Sequence, residues 1–286
     1  MSAIRKHCMV ILALAAGSGV SADGMPTQFS ELPVWDDGLS EMSYYAATDT
    51  IYGEPRDYVR VHLLNRQWMS EVSGVKSMSG ASDAVPAFKL NIAEEIPTEN
   101  YNYRYLTTVF LTRPDLNPFK VAMSSQEWCG TTFKHARWTD AGLTIQSFSY
   151  FGGEGDKSWS LPGEAVPFEG LFVLARAAVA GDFEGELTVL APLRGTHESR
   201  PQPAPMRLAV GDDARKLRTP AGRFEVRRVE ARGAGRDAWF DIETSAPFRL
   251  VAFSAGGVTG KLRHVERRAY WDAGSTSGFH RPNGAP

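Results

Sequence analysis

The chain has 286 residues, 43% of them hydrophobic and 22% charged, with a formal net charge of −2. That hydrophobic share supports a packed core and excludes a disordered chain. The weakly acidic balance excludes the clearly basic surface that a nucleic-acid partner favours.

Residues 1–22 read as an export signal. Arg5, Lys6 and His7 form a basic start, Cys8 to Ala16 an apolar stretch, and Val20-Ser21-Ala22 the small residues that a signal peptidase reads. The stretch is too short to span a bilayer as a helix, and no later run approaches that length. The expected location is therefore periplasmic or secreted, with no transmembrane segment after cleavage. Cys8 opens the apolar run instead of following it, which argues against a lipid anchor. Cleavage removes Cys8 and leaves Cys129 as the mature chain's one thiol, so no internal disulfide can form.

From residue 39 the pattern is short alternating runs broken by turn signals. Strands are predicted over 39–51 and 57–69, joined by the turn Tyr52-Gly53-Glu54-Pro55-Arg56. Residues 71–83 are small and polar and predict a mobile loop. Further strands follow over 86–96, 101–112, 119–129, 131–138 and 143–151, with Thr139-Asp140-Ala141-Gly142 as a turn. The stretch 168–180 changes period. Leu171, Leu174, Ala175 and Ala178 recur at helical spacing and Gly181 can end the segment, so one principal helix is predicted there. After the Pro-rich stretch 199–205, strands resume over 206–210, 216–219, 223–230, 237–244, 248–254 and 259–270. The expected fold is mainly β, a curved antiparallel half-barrel or barrel wrapped around the helix. Residues 23–271 form the domain, with a candidate subdivision near 160–205, and 272–286 form a disordered tail.

Two sets of residues carry a resemblance. Thr219-Pro220-Ala221-Gly222-Arg223-Phe224, then Ala238-Trp239-Phe240 and Pro247-Phe248-Arg249-Leu250-Val251, resemble the C-terminal half of exported bacterial half-barrel proteins of unassigned function. Their fold is similar to that of periplasmic lipoprotein carriers. Trp35-Asp36-Asp37-Gly38, Phe88-Lys89-Leu90-Asn91, Tyr101-Asn102-Tyr103 and Ser125-Gln126-Glu127-Trp128-Cys129-Gly130 resemble a bacterial family sometimes labelled septum formation inhibitor Maf. The Ser-x-Ser-Pro-Arg-Arg motif of true Maf pyrophosphatases is not found here, so that activity is not carried over. The resemblance implies a fold and no chemistry.

Among candidate reactive groups, Glu127 and Cys129 share one face of a strand end, and His135 lies six residues on across Gly130. Folded back, the three would form an orienter, nucleophile and base. The bland reading of the same motif is a sheet corner, with Gly130 as the bend and Cys129 buried. The mature histidines (His62, His135, His197, His264, His280) lack metal-ligand spacing, and Phe151–Asp156 lacks the alternating oxygens of a calcium loop. Neither a metal nor a cofactor is expected. Tyr101, Tyr103 and Tyr105 fall on one strand face. With Gln126, Trp128 and Trp138, and with Phe133, Phe148 and Phe151 on neighbouring strands, they suggest a concave aromatic face able to accept an acyl chain. The helix filling that concavity is the competing expectation. Arg227, Arg228, Arg263, Arg267 and Arg268 suggest either a mouth for anionic headgroups or a solvated sheet face.

Three functions fit these residues. The first is an exported, non-catalytic protein binding a lipid, other amphiphile or envelope component in the concave face. The second is a hydrolase or transferase using Cys129, His135 and Glu127. The third is a structural or protein-binding envelope module with an envelope protein as partner.

Overall fold

Alternation of buried and exposed side chains builds one large curved sheet. The computed structural model describes residues 29–272 apart from positions 114, 182, 183, 199 and 234. The expected signal segment and the tail beyond Asp272 lie outside the described residues. The strands are β1 (Ser40–Ile51), β2 (Glu54–Ser70), β3 (Ala84–Ile96), β4 (Tyr103–Thr112), β5 (Pro118–Glu127), β6 (Gly130–Thr139), β7 (Gly142–Ser149) and β8 (Asp156–Leu161). The helix α1 (Leu171–Val179) follows the short β9 (Val166–Pro167). The second half holds β10 (Gly185–Leu190), β11 (Ala204–Val210), β12 (Arg215–Thr219), β13 (Gly222–Arg232), β14 (Ala238–Glu243), β15 (Leu250–Ala255) and β16 (Val258–Arg268).

The first eight strands form an antiparallel meander in strict chain order. β16 returns to pair with the free edge of β1, and β15, β14, β13, β11, β10 and β9 continue the sheet beyond it. β8 and β9 are the ends of this unclosed path, and β12 branches off as a partner of β13. Segment 71–83, expected as a mobile loop, is pinned. Met69 bridges Lys76, and Arg137 and Lys120 donate to the Glu71 and Gly74 carbonyls.

Helix α1 is apolar except for Arg176, and Leu171–Ala178 are buried, as expected of a helix surrounded by its own sheet. A 3-10 turn over Phe168–Gly170 precedes it, so the expected 168–180 helix is shorter by one turn at its start. Gly181, in the left-handed conformation, follows its end. Phe172 meets Phe240 and Phe253 edge-on, each at 5.3 Å between ring centres, and packs on His62 at 5.0 Å. Burial of such a ring contributes roughly 2–3 kcal/mol. The cavity between α1 and the sheet, bounded by Tyr45, His62, Phe172 and Arg176, is about 10 Å³, room for a single water.

Candidate functional site

The alternation that fills the core also turns charged side chains inward. Glu41 and Asp49 on β1, Arg60 and His62 on β2, Glu94 on β3 and Lys134 on β6 are all buried. Two ion-pair systems satisfy most of them. Arg176 of α1 grips Glu41 with two hydrogen bonds of 2.7 and 3.1 Å and donates to the Pro247 and Phe248 carbonyls. Arg194 reaches Glu94 at 2.7 Å and Asp49 at 2.6 Å, and Tyr58 also donates to Glu94. Burial alone would push the Glu94 carboxyl up, but Arg60 and Arg194 outweigh it and hold it below the usual carboxylate range. His62 is held well below the usual imidazole range by its burial and by the cations of Arg60 and Arg176.

Arg194 belongs to a segment, residues 191–198, strapped over the concave face. The buried Lys134 ammonium donates to the carbonyls of Leu193, Gly195 and His197. The buried Glu169 carboxylate accepts the Leu193 and Arg194 N–H groups. Thr196 bonds Glu127 and lies 3.0 Å from the Tyr105 hydroxyl. Together α1 and this strap occupy the space that an acyl chain would need. The concave face is therefore a packed core at this end, and a ligand has access only to its rim.

That rim is built by turns. Tyr52-Gly53 joins β1 to β2, residues 97–102 join β3 to β4, Trp128-Cys129 join β5 to β6, and 150–155 join β7 to β8. All four lie at the same end of an antiparallel meander. In the first turn Tyr52 and Gly53 both have positive φ, 54° and 81°. This two-residue hairpin conformation favours Asn-Gly, so a tyrosine in the first position is a strained choice. Its hydroxyl bonds that of Tyr103. Tyr101 stacks on Trp128 at 6.0 Å and packs on Tyr103 at 5.5 Å, and Tyr103 stacks on Tyr105 at 6.2 Å. Tyr103 and Tyr105 are buried, whereas Tyr52, Trp128 and Tyr150 are 68%, 84% and 70% exposed. An open groove of about 380 Å³ adjoins them, lined by Pro55, Asp57, Pro97 and Thr98 and by the ion-paired Arg56 and Glu99.

The motif Ser125–Gly130 is thus the tip of a tight hairpin, with Glu127 paired to Gly130 and Trp128-Cys129 as the turn. Gly130 opens β6 directly after that turn. It makes room for Tyr150, whose ring would lie 2.2 Å from a Cβ at that position. Cys129 is exposed, and of the two readings of the motif the one that buried the thiol does not hold. Its sulfur lies 2.8 Å from the Tyr101 hydroxyl, which lies 3.5 Å from Glu127. Hydrogen bonding to Cys129 and to Tyr103 and Tyr52 pushes the Tyr101 phenol up, so it stays neutral.

His135 is not brought to this cluster. The strands pair as expected, but the register sets His135 opposite Ala122, and it stacks on Phe133 on the outer face. Glu127 faces inward. Of the proposed ligand residues, Tyr101, Tyr103, Tyr105 and Trp128 come together. Gln126 is exposed on the outer face, between Arg104 and Thr131. Trp138 is buried near the other end of β6 and donates to the Ala165 carbonyl at 2.8 Å. Phe133 and Phe148 stack on each other outside the sheet at 6.3 Å and do not line the concavity. Tyr52, Tyr150 and the strap were not foreseen. The Tyr-Gly turn at 52–53 was the one signal available for them. Among the described residues, no group of three or more His, Cys, Asp or Glu side chains is placed to hold a metal.

A scan against protein-family models and a search of curated proteins find no match. Among solved structures the chain is similar to a β-barrel-like protein of a domain of unknown function, DUF1849, from Brucella abortus. The identity is 11%, over 80% of this chain and 97% of that one, with a TM-score of 0.47. A likeness of that degree carries nothing about chemistry or partners. Among the described residues no helix is long and apolar enough to cross a membrane.

Proposed function

We propose that the protein is an exported, non-catalytic envelope module that holds an amphiphile, or an envelope component bearing one, at its aromatic rim. The observation that carries this reading is the cluster of exposed rings, Tyr52, Trp128 and Tyr150, over a concave face filled by α1 and the strap. Tyrosine and tryptophan combine an apolar body with a polar edge and suit the boundary between an acyl chain and its headgroup. The strained Tyr52 backbone supports the same reading, because a side chain kept at a local cost is one in use. The chemistry at Cys129 favours binding over catalysis. Its near neighbours are the Tyr101 hydroxyl and, beyond it, the Glu127 carboxylate, and the imidazole of His135 that would serve as base lies on the outer face of β6.

The test is titration of the purified protein with an uncharged long-chain alkyl glycoside below its micelle concentration. Tryptophan emission is expected to shift to the blue, and Trp128→Phe is expected to remove most of that shift. An unchanged spectrum at ligand saturation of the solution, or a shift that persists in Trp128→Phe, overturns the reading.

A further inference from the structure

The turn Thr219-Pro220-Ala221-Gly222 has no part in the rim. It is the tip of the β12–β13 hairpin, where Thr219 pairs with Gly222 and Arg218 stands directly opposite Arg223. The tip docks on β16, the Ala221 N–H donating to the Leu262 carbonyl at 3.2 Å. Lys261 and Arg263 flank Leu262. Thr219 and Leu262 are buried, so by strand alternation Arg218 and Lys261 turn outward, as does Arg223, and the half-buried Arg263 sits in the bulge between the Tyr44 and Tyr45 pairings. Lys216, also exposed, lies further along β12 directly opposite the exposed Glu225.

Several other cations of this half are engaged. Arg215 and Arg228 hold Asp241 at 2.5 and 2.9 Å, Arg232 holds Glu230 at 2.8 Å, and Arg249 holds Glu243 at 2.9 Å. Arg267 is tied to Asp37 at 2.8 Å and Arg227 to the Gly211 carbonyl. Arg218, Arg223, Lys261 and Arg263 make no ion pair or side-chain hydrogen bond with any described residue. Like charges directly opposite each other destabilise a strand pair. The hairpin therefore keeps an arrangement that an external anion relieves.

We infer that this hairpin tip docks on anionic phospholipid headgroups. Between the two arginines the tip exposes Pro220, an uncharged point, while Ala221 and Phe224 behind it pack against the core. Such a point can settle among headgroups while the flanking cations meet phosphates. A nucleic acid would need a longer basic track. The inference goes beyond the rim reading and does not depend on it.

The experiment is flotation of the purified protein with phosphatidylcholine vesicles and with phosphatidylcholine vesicles containing phosphatidylglycerol. Binding is expected to rise with phosphatidylglycerol and to fall as salt is added. Each charge removed is expected to lower the partition coefficient about fivefold, so Arg218→Gln with Arg223→Gln lowers it roughly 25-fold. The ion-paired control Arg232→Gln is expected to change it little. Circular dichroism checks that each variant folds, and Lys261→Gln with Arg263→Gln is the second pair should the first not fold. Trp128→Ser is expected to leave the increment due to phosphatidylglycerol intact, so failure of the rim reading shows only with neutral lipid. Equal binding to both vesicles, or a folded Arg218/Arg223 variant that floats like wild type, overturns the inference. So does retention of a single-stranded oligonucleotide without vesicle binding.

Discussion

Breaking the Arg176–Glu41 pair tests how α1 is fastened to the sheet. Both side chains are buried, 5% and 3% exposed. Removing one member of a buried pair leaves a charge without a partner, which costs about 3–5 kcal/mol. The two substitutions differ in what they leave behind. In Glu41→Gln the amide oxygen still accepts from the guanidinium, and Pro247 and Phe248 keep their donor, so the expected cost is about 3 kcal/mol. In Arg176→Met the Glu41 carboxylate loses its cation, both carbonyls lose a donor, and contacts with the Phe29 and Trp35 rings at 5.1 and 5.2 Å go too. The expected cost is then about 5 kcal/mol. Glu41→Gln combined with Arg176→Met leaves no charge in the pair, only an amide and two carbonyls to be solvated. It should cost about 2–4 kcal/mol, far less than its single substitutions together. Urea unfolding at pH 7, followed by circular dichroism and tryptophan emission, supplies the midpoints. Single substitutions costing under about 1 kcal/mol, or a double variant equal to the sum, would refute the claim that this pair sits in a low-dielectric core.

Stability should fall as the pH drops below 6.5. His62 has a folded pKa below its unfolded value, so the unfolded chain binds the proton first, and Glu94 adds the same sign at lower pH. His62→Gln should flatten the limb nearest 6.5, with the remainder from His135, whose imidazole burial also holds low. A pH–stability curve unchanged by that substitution would contradict the assignment. A Cβ on Gly260 would lie 2.5 Å from the buried Phe253 ring, so Gly260→Ala should cost about 1–3 kcal/mol and much less in a Phe253→Leu background. Cys129 should react with iodoacetamide in the folded protein as readily as in urea, since it is exposed, and protection until unfolding would contradict its placement. Tyr52→Asn should keep the hairpin, because asparagine accepts the left-handed conformation, yet weaken alkyl glycoside binding.

Most strands were legible because one face is buried, and burial writes a period of two into the chain. In β4, Tyr103, Tyr105, Thr107 and Val109 go inward while Arg104 and Leu106 go outward. The helix was legible from its alanine content and its change of period. β8 and β10 were not, since β8 is largely exposed on both faces and β10 is a short run after a glycine. Parity along β6 separates the aromatics that residue type alone would put on one face. Phe133 and Trp138 are five residues apart on one strand and cannot share a face. The inward side of β6 holds Lys134, a lysine that is only tolerable there because the strap supplies three carbonyls. The strap itself left no periodic trace. Its fastenings, from Glu94, Lys134, Glu127 and Glu169, come from four distant elements and exist only after folding.

The position of β1 has a kinetic consequence. Its two neighbours are β2, one short turn away, and β16, which pairs Ser40 with Arg268 across nearly the whole described chain. As the chain emerges N-terminus first, the meander can zip hairpin by hairpin, each closing a small loop. The far edge of β1 has no partner until the last strand arrives. During that interval it is an open template for pairing with another chain, and closing it carries the entropic cost of the longest loop in the molecule. A chain cut short before β16 would have its sheet split in two, β8 to β1 and β15 to β9, with an open edge on each piece.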